Sequence, residues 1–209
     1  EKDEDIKDII NNNNWLKKCL SCLNDKNSFL LLTKIWDKLS KIITNTLELA
    51  EILSKIPSEE NKIRLLKILR TNYLLKIIHD ARDLWNILEW LYWDSQKQFI
   101  DIIWQENIKK IFLSTNEIII ILYYLTNENK DYLMNILWLD WVKYKIKTSR
   151  NFLDMYRWLT DKKAVEFLKK FEISDIKHLF KNQQEFYKFM LRLPKSKEKL
   201  LLKYLNLWN

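Results

Sequence analysis

An apolar residue followed by a polar turn returns along this chain at a nearly fixed interval: Leu23, Ile56, Leu91, Leu125, Leu159 and Leu193. The steps are 33, 35, 34, 34 and 34 residues. Three, four and seven positions before each stand further apolar residues, such as Leu122, Ile121 and Ile118, or Met190, Phe189 and Phe186. Offsets of 0, 3, 4 and 7 mark one face of an α-helix, here helix A. A polar turn follows, as in Asn24-Asp25-Lys26 or Thr160-Asp161-Lys162. Eight residues after the recurring position a second stripe begins, as in Leu133, Met134 and Leu137, and defines helix B. A shorter stripe 17 residues before the next recurrence, such as Ile176, Leu179 and Phe180, defines helix C. Asn13, Thr46, Thr115 and Ser149 are expected to cap helix A, and Thr71, Asp140 and Ser174 helix C, because their side chains can accept orphan N–H groups.

This spacing predicts an all-α fold, an α-solenoid of about six tandem 34-residue three-helix repeats, read as one domain over 1–209. No single unit covers its own apolar stripes, so neighbours must stack into a continuous core. Ile6, Ile9 and Ile10 share the helix C phase, so 1–12 reads as the final helix of a truncated repeat. Residues 13–209 then carry six repeats, the last incomplete, and the chain reads as a window cut from, or terminating, a longer array. Leu205, Leu207 and Trp208 are expected to leave apolar surface incompletely covered. A compact helical bundle is the alternative, since bundles need no repeated unit.

Composition narrows function. The 209 residues contain no glycine, so no residue reaches positive φ without a steric cost. Dinucleotide fingerprints, phosphate-binding P-loops and nucleophile elbows all need glycine and are excluded as written. The longest apolar run, Ile118 to Leu125, is far short of the roughly 20 residues of a membrane span. No signal-peptide pattern opens the chain, and a soluble protein is expected. The net charge of +8 is uneven: from Lys143 onward 17 Lys and Arg face 7 Asp and Glu. Such a block attracts nucleic acid, anionic lipid or an acidic protein, or simply forms a solvated surface.

No catalytic, cofactor or metal-ligating residues are expected. Cys19 and Cys22 lack the two further ligands a zinc site requires, and His79 and His178 lie far along the chain. The pair His79-Asp80 has no companion ligands, and nothing sets the carboxylates in an acid–base geometry. The aromatics carry more. Of ten Trp, several share a repeat position. Trp90, Tyr124 and Trp158 stand one residue before the recurring position, and Arg192 continues that column. These four are the expected partner-binding residues, because Trp joins a large apolar face to one donor. A second column of Trp36, Trp104 and Trp138 is expected to fill space between repeats.

Residues 164–205 carry a resemblance. Ala164-Val165-Glu166-Phe167-Leu168-Lys169-Lys170-Phe171, then Ile176-Lys177-His178-Leu179-Phe180-Lys181-Asn182, and Leu191-Arg192-Leu193-Pro194 resemble the Leu-rich helical repeats of secreted effectors of intracellular bacteria such as Legionella. Those repeats have a Leu-Pro turn and a helix ending near Leu-Gly. Here the glycine is replaced by Trp36, Trp104, Trp138, Glu172 and Asn206, and proline survives only at Pro57 and Pro194. The resemblance implies a non-enzymatic module for protein–protein recognition, secreted into the host cell cytoplasm and acting on a host protein. The rival readings are a nucleic-acid-binding repeat using the basic C-terminal third, and a structural spacer.

Overall fold

The computed structural model describes residues 10–103 and 105–206. Every regular element among them is an α-helix. The chain divides into two compact units, Glu1–Ile111 and Phe112–Asn209, and the boundary falls between a helix C and the next helix A. The first unit contains α1 (Asn13–Cys22), α2 (Asp25–Lys34), α3 (Trp36–Ile42), α4 (Thr46–Leu53), α5 (Glu59–Ile77), α6 (Ala81–Leu88), α7 (Trp93–Ile103) and α8 (Gln105–Ile111). The second contains α9 (Thr115–Tyr124), α10 (Asn127–Leu137), α11 (Leu139–Lys145), α12 (Ser149–Trp158), α13 (Asp161–Leu168), α14 (Ile173–Leu179), α15 (Gln183–Met190) and α16 (Lys195–Tyr204).

Helix A therefore occurs as α1, α4, α6, α9, α12 and α15. The B helices begin at Asp25, Glu59, Trp93, Asn127, Asp161 and Lys195, each 34 residues after the last. In the second repeat B and C run together as α5, bent at Arg70. The expected stripes are buried: Ile56, Leu91, Leu125, Leu159 and Leu193 all lie in the core, as do Leu122, Ile121 and Ile118. Ile10 is buried as well, while Ile6, Ile9, Trp104, Leu207 and Trp208 lie outside the described residues. Leu205 is itself buried, a correction to its expected exposure.

The caps of helix A fall one residue earlier than the polar pattern of the sequence suggests. Asn12, Asn45, Ser114 and Thr148 take extended backbone and accept the N–H three residues on. Each expected cap is the second of two polar residues, and only the first lies outside the helical dihedrals. Thr46 is buried instead, and its hydroxyl donates to Asp83 at 2.6 Å. At helix C, Glu172 and Trp138 replace Ser174 and Asp140 at the N-cap. Thr71 lies inside α5 and donates to the Ile102 carbonyl at 2.6 Å.

Within the first unit α1 packs on α4 and α4 on α6, while α2 packs on α5 and α5 on α7. Within the second, α9 packs on α12 and α13 on α16. Most of these partners lie about one repeat apart, so each buried stripe covers the next. Phe152, Tyr156, Phe167 and Phe171 form an aromatic core in the second unit, with ring centroids 5.0–6.5 Å apart.

Two further periodic features accompany the stripes. Arg70, Trp138 and Asn206 have φ of 63°, 57° and 54°, and each stands at the end of a B helix. A buried polar row also recurs: Asn61, Ser95, Asn129, Lys163 and Lys197 are the third residues of successive B helices. Asn61 donates to both the carbonyl and the carboxylate of Asp25, at 2.8 and 2.7 Å. Lys197 pairs with Asp161 at 2.9 Å beneath the Tyr156 ring, and burial pulls its ammonium below the usual lysine range despite that carboxylate.

Candidate partner-recognition site

Helix A ends where its apolar stripe meets the polar turn, so the residue just before the recurring position sits at the edge of the core. Tyr124 and Trp158 occupy that edge as the last residues of α9 and α12. Tyr124 is 47% exposed and Trp158 is half-buried. They are joined by Tyr123, a residue outside the expected column. Tyr123 meets Tyr124 edge-on at 4.6 Å and Trp158 edge-on at 4.7 Å. The Lys130 ammonium and the Arg157 guanidinium lie 5.8 and 5.3 Å from the Trp158 ring centroid. Burial pulls Lys130 below the usual lysine range, as expected for a cation held against a ring rather than in water.

Trp90 belongs to the first unit. It is 41% exposed, just beyond α6. Its carbonyl accepts from the Lys62 ammonium at 2.8 Å, and Lys62 also pairs with Glu59 and lies 5.5 Å from the Tyr92 ring. Tyr92 and Trp93 beside it are more exposed than Trp90. Arg192, beyond α15, is exposed and is not part of the ring cluster. It lines a groove of about 420 Å³ together with Arg157, Arg150 and Lys188. Within the second unit Tyr123 joins Tyr124 to Trp158, and Arg157 borders both the Trp158 ring and the groove that Arg192 lines.

The second Trp column differs from its expected packing role. Trp36 and Trp138 are 55% and 61% exposed. Both stand at junctions between B and C helices. Two apolar clefts occur elsewhere, one of about 530 Å³ lined by Phe180, Phe186 and Leu202, the other of about 470 Å³ lined by Cys19, Leu23 and Leu30.

The polar residues singled out in the sequence make local contacts. His79 Nδ1 lies 3.1 Å from Asp83, and Asp80 caps α6. Burial pushes the Asp83 carboxyl up, but hydrogen bonds from Thr46 and His79 outweigh it and hold the group below the usual range. Cys19 and Cys22 are free thiols. Among the described residues no three His, Cys, Asp or Glu side chains gather where they could hold a metal ion, and no helix is long and apolar enough to cross a membrane. Comparison with protein-family models, curated proteins and solved structures returns no match.

Proposed function

We propose that this chain is a non-enzymatic helical-repeat module for protein–protein recognition, an α-solenoid of six 34-residue three-helix repeats. The solenoid reading is supported by the 34-residue recurrence of the B helices and by the stacking of like helices within each unit. The observation that carries the functional reading is the exposed cluster of Tyr123, Tyr124 and Trp158 at the ends of two stacked A helices. Rings that remain partly exposed after such packing form an anchor of the kind found at interface hot spots. In line with the effector resemblance, the partner is proposed to be a host protein met after secretion into the host cell cytoplasm.

The test is affinity capture from host-cell lysate with the wild-type chain and with Trp90→Ala/Trp158→Ala, over a salt series. A protein retained by the wild type, lost from the variant and little affected between about 50 and 200 mM salt supports the reading. Binding of nucleic acid that weakens steeply over that range overturns it, because phosphate contacts release counterions.

A further inference from the structure

The groove containing Arg192 lies between two A helices of the second unit, α12 and α15. Its floor is apolar: Leu153 and Phe189 are buried, and Phe180 meets Phe189 edge-on at 4.8 Å. One end is closed by Ser149, whose hydroxyl donates to Glu185 at 2.6 Å. The rims are built by helical spacing. Arg150, Asp154 and Arg157 share one face of α12, and Glu185, Lys188 and Arg192 follow the same 3–4 spacing on and beyond α15.

The charges on these rims do not cancel. Asp154 is taken by Arg150 at 3.7 Å, and Glu185 by Ser149 and the Lys181 N–H. Among the described residues no carboxylate pairs with Arg157, Lys188 or Arg192. Four cations (Arg150, Arg157, Lys188 and Arg192) and two carboxylates (Asp154 and Glu185) therefore line the groove above its apolar floor, which leaves positive charge in excess. The trough volume of about 420 Å³ falls within the range of ligand clefts.

We propose that this groove receives an acidic segment of the partner protein. Its carboxylates meet Arg157, Lys188 and Arg192, and one bulky apolar side chain seats on Leu153, Phe180 and Phe189. The proposal rests on the protein-recognition reading above and specifies the partner's chemistry. Arg157 touches both the groove and the Trp158 ring, so the acidic site continues into the aromatic cluster. Nucleic acid fits the groove less well. The Phe189 ring already stacks on Phe152 and Phe186, at centroid distances of 5.9 and 6.2 Å, so its faces are not free for bases.

Selection of random 12-residue peptides displayed on phage, against the full chain, tests this. Selected peptides are then measured by fluorescence anisotropy against three proteins: wild type, Arg157→Glu/Arg192→Glu, and the charge-matched control Lys162→Glu/Lys169→Glu. Circular dichroism melting checks that each variant is folded. The expected result is enrichment of peptides with several Asp or Glu and one Leu or aromatic residue. Their affinity should fall tenfold or more on the groove variant and little on the control. Peptides that bind all three proteins alike overturn the groove while leaving protein recognition standing. Enrichment of neutral or basic peptides, or of none, overturns the acidic partner. Tighter binding of a single-stranded RNA of 12 nucleotides than of any selected peptide overturns both readings.

Discussion

Tyr123 of α9 sets its ring edge-on to that of Trp158 of α12, with centroids 4.7 Å apart and planes at 81°, although 35 residues separate them. The contact arises because the two A helices stack with their C-terminal ends together, and it leaves Tyr123 53% exposed. Replacing Trp90 and Trp158 together with Ala is expected to weaken partner binding by about 2 kcal/mol or more. The core stripes are untouched, so the melting temperature should fall by only a few degrees. A drop beyond about 10 °C in a thermal melt would assign these rings to packing instead.

Arg70 is exposed and has φ 63° and ψ 151°, a region that Cβ disfavours. Arg70→Gly should raise stability by about 1 kcal/mol, the relief of strain exceeding the entropy glycine loses on folding. Urea titration beside Arg70→Ala checks it, since alanine keeps the Cβ and should bring no gain.

The buried polar row predicts opposite signs at two positions in and beside it. Asn61→Ala leaves the Asp25 carbonyl and carboxylate without their donor and should cost about 1–3 kcal/mol. The Ser28 hydroxyl is fully buried and has no hydrogen-bond partner among the described residues, so Ser28→Ala should be neutral or stabilising by about 1 kcal/mol. Chemical denaturation of both variants under one buffer tests the contrast.

Lys197 is buried, and its lowered folded value means that the charged form is held less well in the folded chain than in the unfolded one. Stability from this group therefore rises with pH between its folded value and the ordinary 10.5. Lys197→Met should leave stability near neutral pH equal or higher, by up to about 2 kcal/mol, because Asp161 is exposed enough to be solvated alone. Thermal melts at pH 7 and pH 10 should show a smaller alkaline gain in the variant than in the wild type, the remainder coming from Lys130, whose folded value is also lowered.

Acid acts through the opposite sign. The Asp83 and Glu185 carboxyls lie below their ordinary values of 3.8 and 4.5, Asp83 because hydrogen bonds outweigh its burial, Glu185 because Ser149 and the Lys181 N–H donate to it. A depressed folded value contributes stability that is present above the ordinary value and lost as pH falls through the folded one. Melting temperature should therefore hold from neutrality to about pH 5 and decline below about pH 4. Thr46→Val removes one donor to Asp83 and should make that decline shallower in a pH series of melts.

Much of the architecture is legible in the residues. Leu125, Leu159 and Leu193, with their partners three, four and seven positions earlier, mark helix A and its buried face through spacing alone. The polar pairs Asn45-Thr46 and Ser114-Thr115 locate the helix starts to within one residue. They do not say which member caps, because that depends on whether the second hydroxyl finds a buried partner, as Thr46 finds Asp83. The polar row at Asn61 and Asn129 has a sequence phase but no sequence signature of burial, since polar residues near a turn look solvated when no neighbour is in view.

The sequence by itself determined the helical class, the 34-residue period and the core stripes, because the sidedness of a helix depends only on which residues recur every three or four positions. Tertiary structure decided the rest. Trp138 is exposed and Tyr156 buried although both are aromatic and in register with a repeat, because burial depends on what the neighbouring repeat brings against each ring. Tyr123 joins Tyr124 and Trp158, and Arg157, Lys188 and Arg192 form no ion pair among the described residues, because charge pairing and ring contacts are set by distances across stacked helices rather than along the chain.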